Sequence, residues 1–137
     1  MRKMALDIGD VRIGIATSDP MGIIASGYET YNRKGKSDEE VADYMVAFAK
    51  ANAVDTIVVG LPLNMDGTSG ERVEIVKSLA SLISERTDIK IVYQDERLTT
   101  VTAERMLIEA DMRRDKRKQV VDKVAASIIL QCYLDRI

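Results

Sequence analysis

The 137-residue sequence has no histidine, no tryptophan, one cysteine, one phenylalanine and two prolines. Without histidine there can be no Ser-His-Asp triad, no imidazole general base and no histidine-containing zinc site. The lone Cys132 cannot close an internal disulfide. Long hydrophobic runs are missing too: no window approaches the roughly 20 apolar residues that cross a bilayer. The amino-terminal segment shows no apolar signal stretch, so cytoplasmic residence without a membrane partner is expected. Nor does one sign of charge dominate, with 20 Lys+Arg against 22 Asp+Glu and a net charge of -2. Bulk charge therefore cannot hold this chain to nucleic acid, and an anionic partner must be met by a local basic cluster. The chemistry available is that of carboxylates, hydroxyls, amides and cations.

What is present suits one domain over residues 1–137, because 46% of the residues are apolar and a chain this long buries roughly 70% of its unfolded surface. Alternation of Met4, Leu6 and Ile8 against Ala5 and Asp7 predicts a strand over 3–8 ending on a carboxylate. Gly9-Asp10 supplies a turn, and alternation over 12–18 predicts an antiparallel partner. A third strand is expected over 22–31. Ser37 and Glu40 form a capping box opening a helix that ends near Asn52, with Val41, Tyr44, Met45, Phe48 and Ala49 on one stripe. The apolar, β-branched run over 54–61 reads as a buried, central parallel strand. Thr68 and Glu71 suggest a second capping box before a helix striped by Val73, Val76, Leu79, Ala80 and Ile83, followed by a strand over 89–94. Ala103, Met106, Leu107 and Ala110 mark a third helix. Residues 120–134 mark a fourth that is apolar almost all round. A meander followed by α/β units implies an α/β fold with one mixed five-stranded sheet flanked by helices.

Three acidic positions stand out. Asp7 ends the first strand beside Ala5, Gly14 and Ala16, a face of small residues that leaves room for a ligand, although Asp7 would also serve simply to start the following turn. Asp95-Glu96 ends the last strand, at the carboxyl edge where open α/β sheets carry ligands; an acidic strand end in water is the plain alternative. Asp122 shares a helix face with Ala126 and Ile129. It either pairs with Lys118 or Arg105 or holds a metal ion. Carboxylates from two strand ends and a helix would together make a hard oxygen site for Mg²⁺ or Mn²⁺, able to activate water against a phosphodiester.

The segments D-I-G-D-V-R-I-G-I-A-T-S-D (7–19), V-V-G-L-P-L-N-M-D-G-T (58–68), D-E-R-L-T-T (95–100) and V-D-K-V-A-A-S-I-I-L-Q (121–131) occur in this order along the whole chain. In this they resemble the YqgF/RuvX family, described both as Holliday junction resolvases and as pre-16S rRNA nucleases, with a ribonuclease H-like fold. The resemblance implies that Asp7, Glu96 and Asp122 are the catalytic, metal-holding trio. It places Asn64 near a phosphate, and it sets Arg12, Arg97, Thr99 and Thr100 beside the acids, where each would contact the nucleic-acid backbone or serve as a structural cation or helix cap. It departs at Ala125, where junction resolvases of this fold carry a further acid, so three ligands are expected instead of four. The implied activity is hydrolysis of structured RNA, maturing the 5′ end of pre-16S rRNA in ribosome biogenesis. Cleavage of branched DNA, or non-catalytic docking to RNA or ribosomal particles during assembly, are the alternatives. A nucleotide clamp of the actin and sugar-kinase type would need two such domains, and no G-x-x-x-x-G-K-[ST] loop replaces one.

Residues 112–118 read M-R-R-D-K-R-K, five cations and one acid. Such a run is either a solvated face or a phosphate-tracking patch, and its place before Asp122 favours the latter. With one Phe and five Tyr, reading of stacked bases is not indicated. If the patch tracks phosphates, changing Arg113, Arg114, Arg117 and Lys118 to Gln should weaken RNA binding and flatten its salt dependence. Titration of a labelled RNA at several salt concentrations measures both, and an unchanged slope would leave the run a solvated face.

Overall fold

A computed structural model of the chain describes residues 1–63, 66, 70–96, 99–110 and 112–137. The two alternating segments pair as expected: β1 (Arg2–Ile8) runs antiparallel to β2 (Arg12–Ser18), with Asp7 opposite Gly14 and Ala5 opposite Ala16. On its other side β1 is parallel to β4 (Val54–Leu61), which is parallel in turn to β5 (Lys90–Asp95). β3 (Ala25–Asn32) closes the far edge against β2, giving one mixed sheet in the order β3-β2-β1-β4-β5.

Period-two alternation sends Met4, Leu6, Ile8, Ile13 and Ile15 to one face. There they meet the apolar stripes of α1 (Asp38–Ala51) and α2 (Glu71–Glu85). Ser37 Oγ accepts from the backbone N–H of Glu40, as the capping box requires. The opposite face carries Ala5, Ala16 and Val58, which pack against Ala126, Ile129 and Leu130 of α4 (Arg114–Arg136). α3 (Thr99–Glu109) joins this side through Ala103 and Leu107, which meet Val121 and Ala125.

Several expectations are corrected. β3 starts at Ala25, not at residue 22, because the Asp19 carboxylate accepts from the N–H groups of Met21, Ile23 and Ile24 at 3.2, 2.7 and 2.8 Å and folds that stretch into a turn. Gly70 is the N-cap of α2 and no side chain caps it, so the helix begins three residues beyond a Thr68 cap; Thr68 itself lies outside the described residues. Met106 of α3 is exposed, leaving Ala103 and Leu107 to make the contact with α4. α4 begins at Arg114, so most of the basic run is helical instead of forming a connection between helices. Lys and Arg are good helix formers, and the turns they build continue straight into the buried segment.

The small face of β1 and β2 is also not a ligand cavity. A Cβ at Gly14 would lie 2.0 Å from the backbone oxygen of Asp122, and one at Gly27 would lie 3.0 Å from that of Lys123. The missing side chains admit the backbone of α4 itself. Gly14→Ala should therefore lower stability by about 3 kcal/mol or more, since helix backbone must move. Gly27→Ala should cost less, its neighbours including the flexible Lys123 side chain. Denaturant midpoints of the two variants check the order.

Candidate active site

Three elements bring acids to the carboxyl edge of the parallel strands. Asp7 is the penultimate residue of β1 and lies opposite Gly14, the position over which α4 passes at Asp122. That close approach is what sets Asp122 beside Asp7, although the two lie near opposite ends of the chain. Glu96 follows β5, its backbone N–H donating to Leu61 O at 3.1 Å. Its carboxylate lies over Gly60 of β4, with Oε2 2.4 Å from where a Cβ would be. Gly60 is thus a cradle for Glu96, a role its place in an apolar strand does not reveal.

Asp7 and Glu96 share a hydrogen bond. Burial raises the Asp7 carboxyl above its ordinary range, and the negative charge of Asp122 adds to the shift. Burial likewise pushes Glu96 up, to about 9, with the Asp7 charge and the hydrogen bond to Asp7 acting in the same direction. The two carboxyls thus share a proton across that hydrogen bond. Asp122 turns elsewhere: Arg12 Nε donates to its Oδ2 at 3.0 Å. Arg12 takes the place of the expected Arg105 because the helix crossing brings β2 to Asp122, while the side chain of Lys118, the other expected partner, lies outside the described residues. Among the described residues no three His, Cys, Asp or Glu side chains stand in a ready-made metal cage, in keeping with the turn of Asp122 toward Arg12.

Of the flanking candidates, Arg12 is therefore at the site, half-exposed and paired. Asn64 and Arg97 lie outside the described residues. Thr99 and Thr100 open α3, and Arg114 and Lys118 lie in the first turns of α4, but their side chains are outside what is described. Arg113 is the exposed N-cap of α4. Arg117 donates through Nη1 to Met112 O at 3.0 Å, so one of the basic residues braces the α3–α4 connection.

One residue at the site, Arg72, lies in none of the sequence motifs. Arg72, in the first turn of α2, donates to Asp10 at 3.1 Å, and its charge acts on both Asp7 and Glu96. The only signal is its position, since a cation in a helix's first turn opposes the helix dipole.

The Holliday junction resolvase family model RuvX matches residues 1–136. The chain belongs to the RuvX family. It is 50% identical over 137 residues, 99% of each chain, to a Streptococcus thermophilus protein named "Putative pre-16S rRNA nuclease". A Streptococcus suis protein of the same name matches equally, at 50% identity and 99% of each chain. Among solved structures, the Fowlpox virus resolvase bound to Holliday junction DNA superposes with a TM-score of 0.60 at 10% identity, over 99% of this chain and 98% of that one. Thermus thermophilus RuvC with its junction substrate gives a TM-score of 0.60 at 9% identity, over 99% and 95%. At such identities the likeness is one of fold, and the fold of this RuvX-family chain is ribonuclease H-like.

The carboxyl pair predicts a pH dependence of stability. Both folded-state values are raised, so the pair's contribution to stability is fully present below the ordinary carboxylate range, at about pH 4. It is lost as pH rises toward about 9. Glu96→Gln keeps a neutral donor at every pH. In metal-free, mildly alkaline buffer it should melt several degrees above wild type, about 3 °C for each kcal/mol of strain removed. In acid the two should coincide. Thermal melts across pH check this, and parallel curves would show that the two carboxyls do not interact.

Proposed function

We propose that this RuvX-family chain is a metal-dependent nuclease that hydrolyses phosphodiester bonds in structured RNA and matures the 5′ end of pre-16S rRNA. As a member of this family the chain is a phosphodiester hydrolase. The observation that carries the metal reading is the Asp7–Glu96 pair, two carboxyls crowded enough to share a proton at the sheet edge with Asp122 adjoining. A divalent cation would replace that proton and satisfy both oxygens. The donors are all hard oxygens and no histidine competes, which fits Mg²⁺ or Mn²⁺. Asp7 and Glu96 would hold the ion, with Asp122 as third ligand once Arg12 releases it. When bound, the ion supplies Lewis-acid polarisation of the phosphodiester and of an attacking water.

The protein's own part is to bring the anionic chain to these acids. Arg12, released from Asp122, is placed to meet a phosphate. The cations over 113–118 fall in sequence at the start of α4, where a helix N-terminus already favours anions. Asn64, Arg97, Thr99 and Thr100 are the further backbone contacts that the family resemblance implies. Three of the five tyrosines are engaged in ring contacts within the fold: Tyr31 stacks on Tyr44 at 4.3 Å and Tyr28 meets Phe48 edge-on. RNA is thus held by its phosphates and its shape.

The test is cleavage of an RNA spanning the 16S 5′ boundary, with Mg²⁺ or Mn²⁺ and with chelator. Asp7→Asn and Glu96→Gln should each lower the rate at least about 100-fold, the scale of losing even an outer partner of a metal site, while retaining the fold by circular dichroism. Cleavage of a four-way DNA junction but not of the RNA would move the substrate to branched DNA. Binding without cleavage by wild type would make the chain a docking factor.

A further inference from the structure

Arg72 is not accounted for by packing. It stands in the first turn of α2, where its charge opposes the helix dipole, and its side chain is 51% exposed. Its partner Asp10, in the turn between β1 and β2, is 71% exposed. An ion pair so open to water contributes little and is readily exchanged. Yet the 3.1 Å bond to Asp10 holds the guanidinium at the turn that follows β1, three residues past Asp7 at the carboxyl edge of the sheet. The site therefore has a cation at its mouth on the α2 side, as it has Arg12 on the β2 side.

A phosphodiester brought against these carboxyls carries negative charge into a negative cluster, and something on the protein must offset it. We propose that Arg72 is a phosphate-positioning residue: it leaves Asp10 and forks onto the non-bridging oxygens of the nucleic-acid phosphodiester presented to Asp7 and Glu96. The inference rests on the nuclease reading above and adds to it the residue that orients the phosphate. Arginine suits the task because its planar donors match two phosphate oxygens at once, whereas lysine offers a single point charge. Asp10 holds the guanidinium in the absence of substrate and competes with the phosphate for it. The two members of one ion pair thus have opposite effects on binding.

The experiment uses the full chain and a fluorescent RNA spanning the 16S 5′ boundary. Binding is read by anisotropy in chelator, and cleavage by single-turnover kinetics with Mg²⁺. Arg72→Ala should raise the RNA Kd and the half-saturating protein concentration about 10-fold and reduce the salt slope by about one. Arg72→Lys should fall between Arg72→Ala and wild type, and free guanidinium should partly restore cleavage by Arg72→Ala. Asp10→Asn should bind RNA at least as tightly as wild type. The proposal is overturned if Arg72→Ala binds RNA as wild type does. It is equally overturned if Asp10→Asn weakens binding as much as Arg72→Ala, which would make the pair a structural clasp. A wild-type protein that neither binds nor cleaves the RNA would defeat the nuclease reading itself, and this inference with it.

Discussion

The arrangement of this molecule depends on how closely α4 lies against β2. The backbone oxygen of Asp122 occupies the space in which a Cβ at Gly14 would sit, and that of Lys123 crowds the same space at Gly27. Only strands without side chains at these two points allow a helix to approach so closely. Once seated, α4 covers Ala5, Ala16 and Val58 with Ala126, Ile129 and Leu130. The same seat decides where Asp122 goes. Asp7 is the register partner of Gly14, so a helix resting on Gly14 must deliver Asp122 next to Asp7. Core packing and site assembly are one event here.

The site that results is electrostatically tense. Asp7 and Glu96 are pressed into partial burial and relieve their repulsion by sharing a proton. Asp122 relieves its own by taking Arg12, and Arg72 lies across the mouth with Asp10. Each acid has thus found a proton or a cation from within the chain. A divalent ion and a phosphate backbone would together replace all of them, the ion taking the place of the proton and the phosphate taking the arginines.

Much of this arrangement is legible in the amino-acid pattern. Strict alternation bounds β1 and β2 to within a residue, and the apolar, β-branched run marks β4 as an interior parallel strand, although β1 takes the middle of the sheet. Ser37 with Glu40 announces α1. Asp7, Asp95-Glu96 and Asp122 stand out in the pattern as carboxylates at strand ends and on an apolar helix face, and the family resemblance is what singles out Glu96 and joins the three into a set. Other features are not readable. The start of β3 is displaced because Asp19 captures three backbone donors, a local bond that no periodicity reports. The start of α4 is hidden because helix-favouring Lys and Arg carry no hydrophobic stripe to signal that the helix has begun.

The amino-acid pattern by itself determined which faces are apolar, and with them the sheet, its helices and the residues able to do chemistry, because burial of apolar surface depends on spacing along the chain. Tertiary structure alone decided which charge meets which. Asp122 pairs with Arg12, 110 positions away in the chain. Gly14 reads as room for a ligand and is the seat of a helix. Gly60 reads as part of a strand and is the cradle of a carboxylate. Charged side chains choose partners by distance in space, falling off over a few ångströms, and that distance is created only when strands and helices have already packed.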